Sequence, residues 1–324
     1  MKILVIRFSS IGDIVLTFPV IRCLKQQLPG SEIHYLTKSS FSELITASSY
    51  IDKTFFLEKS INQLIPLLKQ EKYDTIIDLH NNLRTRIVSY KLGVSRVYRF
   101  PKLNVLKWLY VTFKINHLPS NHVVDRYFDA VKSLGVINDL KNNTFHLSKE
   151  VDVEEAFRIK KGNFIAVALG AQFKTKRIPT EKLIEIISKV ELPVVLLGGK
   201  MDEEEGNKLL VTVKNKSITN ACGKYSLMES ASILSQSKVL LTNDTGLMHI
   251  ASCFNIPIVA VWGNTTPSLG MYAYRPENNA RIVNHEVLNL KCRPCSKIGF
   301  QACPKRHFNC MMLQDSDRIS ADLR

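Results

Sequence analysis

No apolar run in this chain approaches the ~20 residues a helix needs to span a bilayer. Nor does any stretch have the charged, apolar and small-residue order of a signal peptide, because "KILVIRF" passes at once into the polar "SSIGD". The expected location is the cytoplasm. The familiar short signatures are missing too. There is no G-x-G-x-x-G for a dinucleotide, no G-x-x-x-x-G-K-[ST] phosphate loop, no H-E-x-x-H and no G-x-S-x-G. No short-period repeat or low-complexity tract occurs.

The most informative absence is of acid. Between Asp78 and Asp125 there is neither Asp nor Glu, while Arg84, Arg86, Lys91, Arg96, Arg99, Lys102, Lys107 and Lys114 fall in the same stretch. The whole chain of 324 residues carries a net charge of +15. Such a balance implies an anionic partner: nucleic acid, a phosphorylated ligand or a membrane surface.

What is present is a regular alternation. In the first half, "KILVIRF" (2–8), "EIHYLTK" (32–38), "KTFFLE" (53–58), "TIIDLH" (75–80) and "RVYRF" (96–100) read as strands, with helical patterns at 13–28, 61–71 and 83–92. The rhythm breaks over the polar segment 136–163 and then restarts. Strands are expected at 164–170, 193–199, 217–223, 238–244 and 257–263, and helices at 179–190, 202–214, 226–237 and 246–254. Strands separated by helices of this length predict parallel sheets with helices on both faces. The expectation is two doubly wound α/β domains, 1–150 and 151–324, with a ligand cleft between them at the carboxyl ends of the strands.

Several groups sit at such strand ends. Asp13 follows the first strand, where it is either a helix cap or a general base. In "LLTNDTGLMH" a strand ends near Asp244, Thr245 adds a hydroxyl, Gly246 opens a helix and His249 lies one turn on. That is a phosphate site or an ordinary cap. Lys174, Lys176 and Arg177 form a basic loop after strand 164–170. Glu203 to Glu205 follow Gly198 and Gly199, where one carboxylate can accept ribose hydroxyls. Arg84, just after strand 75–80, can hold an acceptor anion by a bidentate contact. "LNVLKWLYVTFKI" (103–115) mixes Trp108, Tyr110 and Phe113 with Lys107 and Lys114, the composition of an interfacial segment or of a packed helix with a basic edge.

Of seven cysteines, Cys23, Cys222 and Cys253 fall within core elements and read as small buried thiols. Cys292, Cys295, Cys303 and Cys310 cluster in "CRPCSKIGFQACPKRHFNC". A structural zinc site, a disulfide and reduced thiols all remain open readings of that spacing.

Taken together, "IRFSSIGDIVLTFPVIRCLKQQLP", the K-x-x-P of 176–179, "GKYSLMESASIL" and "NDTGLMHIAS" resemble glycosyltransferase family 9, the ADP-heptose:lipopolysaccharide heptosyltransferases, over nearly the whole chain. The pairing of S-x-G-D with D-T-G-x-x-H is the specific part. The resemblance implies a GT-B fold, with acceptor on the first domain and nucleotide sugar on the second, and no catalytic metal or cofactor. It implies that Asp13 is the base, with Ser10 and Arg84 on the acceptor side. It places Lys176, Asp244, Thr245, Gly246 and His249 on the donor, with Glu203 near the nucleoside and Tyr225 near the adenine. Ala171 and Gln172 depart from the threonines some relatives have ahead of the lysine. The implied partners are an ADP-sugar and the anionic inner core of lipopolysaccharide, at the inner face of the inner membrane, rather than nucleic acid. Another sugar-nucleotide enzyme of GT-B fold, such as an epimerase, or a non-catalytic binding relative are the alternatives.

Overall fold

The computed structural model describes residues 1–214 and 217–324, which divide into two compact units. The smaller comprises Met1–Lys102, Asn121–Ser148 and Tyr274–Glu277; the larger comprises Leu103–Ser120, Lys149–Ala273 and Asn278–Arg324. The expected boundary at 150/151 lies two residues from the passage at 148/149. The segments 103–120 and 274–277 each cluster with the other unit, which a linear reading does not anticipate.

The smaller unit holds five strands: β1 (Lys2–Ile6), β2 (Glu32–Lys38), β3 (Lys53–Leu57), β4 (Thr75–Asp78) and β5 (Arg96–Arg99). All pair in parallel, in the order β3-β2-β1-β4-β5. Every residue of β4, and all of β1 beyond Lys2, is buried, as parallel strands covered on both faces require. The helix expected at 13–28 is two helices, Ile11–Val15 and Phe18–Gln27. Pro19 has no N–H to donate to the Val15 carbonyl, which favours a break between the two helices there.

In the larger unit six parallel strands follow: β6 (Ile165–Ala168), β7 (Val194–Leu197), β8 (Ile218–Asn220), β9 (Val239–Asn243), β10 (Ile258–Trp262) and β11 (Ile282–Glu286). Their order is β11-β10-β9-β6-β7-β8. β6, β7, β9 and β10 are buried throughout, and Met311, Ile319 and Leu323 from the C-terminal segment join their core. β11 has no counterpart among the expected strands. It is a partly exposed edge strand whose Asn284 and His285 break the apolar pattern; their side chains bond Trp262 and Asp322 instead. Among the described residues, no helix is long and apolar enough to cross a membrane.

Candidate functional site

In a doubly wound sheet the chain winds in opposite directions from one pair of neighbouring strands, and the loops leaving their carboxyl ends diverge there to leave a crevice. In the smaller unit that pair is β1 and β4. The loop after β1 carries Arg7 and Ser10, and Asp13 lies in the first turn of the helix Ile11–Val15 that follows. One Asp13 oxygen accepts from the Ser10 N–H at 3.1 Å and the Ser10 hydroxyl at 2.8 Å, and the other pairs with Arg7 at 2.6 Å. Capping is therefore one thing this acid does. It is not all, because the side chain stays 22% exposed while its arginine partner is 9% exposed.

Arg7, hidden in the strand-like run 2–8, is a further member of this group. It donates through Nε to the Ser9 carbonyl and through Nη1 to the Leu79 carbonyl in the loop after β4, and its guanidinium lies 5.8 Å from the Tyr127 ring centre. Burial opposes its charge, but Asp13 and the surrounding hydroxyls more than offset that and raise its pKa. His80 sits beside it, 5.5 Å from the Phe8 ring. Burial, then the positive charges of Arg7 and Lys102, push the His80 pKa down to about 3, so it is a neutral ring at physiological pH. Asp78 ends β4 and accepts from the His80 and Asn81 N–H groups at 3.0 and 2.6 Å, which turns the chain toward Arg84. Arg84 is exposed in the first turn of helix Leu83–Leu92. The signal for Arg7 was legible: it is the one strongly polar residue between "ILVI" and Phe8.

In the larger unit the diverging pair is β6 and β9. The loop after β6 ends in a 3-10 turn, Lys174–Lys176, and the loop after β9 carries Asp244 and Thr245 into helix Gly246–Ala251. Lys176 and Asp244 form an ion pair at 2.6 Å, and the Thr265 hydroxyl donates to the same Asp244 oxygen at 2.8 Å. The three basic residues of the loop thus separate. Lys176 faces Asp244, Arg177 pairs with Asp202 at 2.8 Å, and Lys174 is exposed. Asp202 also accepts from the Gly199 N–H, and a Cβ at Gly170 or Gly198 would lie 2.5 or 2.8 Å from its side chain. Those glycines let two strand ends close over one carboxylate. His249 is buried on its helix. Asn243, at the end of β9, has both amide atoms buried with no partner among the described residues. It and Thr265 were not singled out from the sequence, because each lies in or next to an apolar strand pattern.

Glu203 opens the helix Glu203–Thr212 that follows β7, and Tyr225 lies in the loop after β8. Glu203 is paired with Lys200, which holds its carboxyl below the usual range, and its carbonyl accepts from Asn220 at 3.0 Å. Tyr225 is half-buried and packs edge-on against Phe157, with ring centres 5.8 Å apart. The expected donor residues therefore run along consecutive strand ends, from β9 and β6 to β7 and β8.

Cys292, Cys295, Cys303 and Cys310 line one cavity of about 20 Å³ in this unit, together with His307, whose Nε2 is 3.9 Å from the Cys292 sulfur. Among the described residues, no cysteine is in a disulfide. The sulfurs are not drawn tight. Among the described residues the group of metal-ligand side chains within 4.8 Å of one another is Glu32, His34 and Glu71, at the opposite, amino end of the first sheet. There Glu71 is held by Lys2 and Lys53, a structural role.

The family model for glycosyltransferase family 9 (heptosyltransferase) matches residues 61–301. Lipopolysaccharide heptosyltransferase 1 of Campylobacter coli is 25% identical over 299 residues, covering 83% of this chain and 85% of its own. The structure of E. coli ADP-heptose lipopolysaccharide heptosyltransferase II superposes with a TM-score of 0.72 at 19% identity, covering 100% of this chain and 97% of the other. That of the E. coli heptosyltransferase WaaC with ADP gives 0.64 at 19% identity, covering 88% and 93%. The two doubly wound units are those of the GT-B fold. A family model that spans most of the chain, over a fold its members share, makes this protein a member of glycosyltransferase family 9.

Proposed function

We propose that the protein transfers a heptose from ADP-heptose to an anionic glycolipid of the lipopolysaccharide inner core, with inversion and without a catalytic metal. The observation that carries this is the Lys176–Asp244 pair at the β6/β9 divergence. A donor diphosphate supplies Lys176 with a stronger counter-charge than one carboxylate, at the point where such folds receive phosphates. Thr245 and Gly246 present backbone beside it. Glu203 and Tyr225 lie on the side where the nucleoside would extend.

In this reading Asp13 is the base. It takes the proton of an acceptor hydroxyl as that oxygen attacks the anomeric carbon. The bond from that carbon to the diphosphate oxygen breaks, and ADP leaves with the electron pair, its charge met by Lys176. One displacement inverts the centre. Ser10 and Arg84 serve the acceptor side. A structural zinc at the four clustered cysteines belongs to the same reading and takes no part in transfer. Incubation with ADP-heptose and an inner-core acceptor, with no divalent metal added, should release ADP and glycosylated acceptor in equal amounts. ADP release only when magnesium or manganese is supplied would overturn the scheme.

The helix Asn104–Phe113 supports a membrane-facing role on the cytoplasmic side. It buries none of its residues, and Val105, Trp108 and Phe113 are 69%, 56% and 56% exposed. Lys114, however, is not part of that face. Its ammonium donates to the Val111, Cys292 and Pro294 carbonyls, so it anchors the helix end. Each basic side chain that reaches an anionic surface contributes ~1 kcal/mol. Trp108 fluorescence should therefore shift to the blue on mixing with phosphatidylglycerol vesicles at low salt and return at 1 M salt. Trp108→Ser should bind vesicles less well with ADP affinity intact. A spectrum indifferent to vesicles rules this role out.

A further inference from the structure

Two loops of the larger unit are laced together around the lysine at its candidate donor site. Thr175 precedes Lys176. Its N–H and hydroxyl donate to the Phe300 carbonyl at 3.1 and 3.0 Å, and the Phe300 N–H donates back to the hydroxyl at 2.8 Å. Gln301 donates to the Gln172 carbonyl at 3.3 Å. The fit is close. Gly299 has φ +123°, and a Cβ there would lie 2.5 Å from Phe173; one at Gly263 would lie 2.7 Å from the Thr175 carbonyl oxygen. The loop that delivers Lys176 thus rests on 299–301, which lies between Cys295 and Cys303.

The supporting loop is fixed at one end. Arg293 donates to the Gly263 and Thr265 carbonyls at 2.7 and 2.8 Å and pairs with Glu286 at 2.7 Å. Further on it is not: Gln301, Ala302 and Pro304–His307 are exposed, and no strand runs through them. Apolar packing does not hold this segment. What gathers around it is a set of soft ligands. Cys292 and Cys295 come from the loop, Cys303 from its exposed part and Cys310 from the short helix Asn309–Met312. The cavity they line, about 20 Å³, has room for one small ion and little else. Asn264 also lines it, 1% exposed, with both amide atoms unpartnered among the described residues. An amide N–H in that position can donate to a metal-bound thiolate, as outer partners of metal sites do. Four thiolates around a divalent cation leave two net negative charges. The Lys114 ammonium, on the carbonyls of Cys292 and Pro294, and the Arg293 guanidinium lie beside them.

We propose that Cys292, Cys295, Cys303 and Cys310 bind one thiophilic divalent ion of the zinc class, and that this ion closes the 292–310 loop into a brace that holds Thr175 and Lys176 in place. Among the described residues no three of these sulfurs lie within 4.8 Å of one another; zinc–thiolate bonds of about 2.3 Å therefore require all four to draw in, with the exposed 301–307 segment carrying Cys303 and the turns around Cys292, Cys295 and Cys310 adjusting toward it. This inference rests on Lys176 being a donor-phosphate ligand.

The test uses the full chain. Metal content of the protein purified without chelator should be about one zinc per chain. Exchange with cobalt should give the intense near-ultraviolet thiolate charge-transfer absorption and the visible bands of a tetrahedral site, and Cys303→Ser should reduce both. Protein stripped of metal, verified by metal analysis, should bind ADP at least tenfold more weakly, and zinc alone should restore the affinity. Should a variant misfold, titration of the unmodified native chain with a thiol reagent decides the point. Four clustered thiols that react freely, with no ion retained or taken up, overturn the site. One bound ion whose removal leaves ADP affinity unchanged overturns the brace. A chain that holds its ion and binds no ADP overturns the donor reading of Lys176, and the brace with it.

Discussion

Asp13→Asn should lower the rate of sugar transfer by ~100-fold or more, the usual weight of a general base, while ADP affinity stays as it was. The amide matches the carboxylate in size but cannot take the acceptor proton. From sequence alone the substitution would be expected to leave stability nearly unchanged, since Asn also caps helices. The Arg7 contact alters that expectation. Arg7 is buried and loses its carboxylate partner Asp13, keeping the carbonyls of Ser9 and Leu79 and the face of Tyr127. Removing one member of a buried pair costs several kcal/mol; with part of Asp13 in solvent and two carbonyls retained, about 1–3 kcal/mol is expected. Rates should be compared well below the lowered melting temperature, with circular dichroism as the check on folding. Transfer at near-parent rates by the folded variant would leave Asp13 as a cap and an arginine partner only.

The second large effect is expected at Lys176. Lys176→Ala should weaken ADP binding at least tenfold, or about 1.4 kcal/mol, and should slow the chemical step as well. The same charge meets the bound diphosphate and the greater charge that develops as ADP departs. The affinity lost should depend on ionic strength, because the interaction is between charges. Asp244 keeps its hydrogen bond from Thr265, so the strand ends themselves should hold. Calorimetry with ADP and single-turnover rates separate the two effects. An unchanged dissociation constant would mean that Lys176 serves only to neutralise Asp244.

Much of the fold could be read because buried parallel strands advertise themselves. "ILVI", "VVLL" and "IVAVW" are continuous apolar runs and each lies in a strand, while the longer segments around them lose two or three residues where the chain leaves the sheet. The edges were harder. β11 escaped because half of it faces outward and its polar residues bond sideways, to Trp262 and Asp322. Short motifs could place Asp13 and Asp244 at strand ends, since strand ends are local. They could not supply partners. Lys176 with Asp244, and Thr265 with the same Asp244, are joined by the order of strands in the sheet, which periodicity does not encode; Arg7 meets Asp13 through the turn that follows β1, whose shape a motif does not give either. The clustered cysteines were visible by spacing, but their relation to Thr175 depends on a contact 125 residues apart in sequence.

The assignment of residues 103–120 and 274–277 to the unit opposite their sequence neighbours bears on how this protein can be recombined. A chimera joined near residue 150, with the first half of one transferase and the second half of another, would carry a foreign helix on its larger unit. That helix's terminal lysine would have to find the carbonyls of Cys292 and Pro294 in a loop it did not evolve with. The Asn138 amide, which donates to the Tyr274 hydroxyl at 2.8 Å, would likewise meet a borrowed tyrosine or none. Exchanging whole units therefore calls for grafts at three places rather than one, with 103–120 travelling alongside the larger unit and 274–277 alongside the smaller.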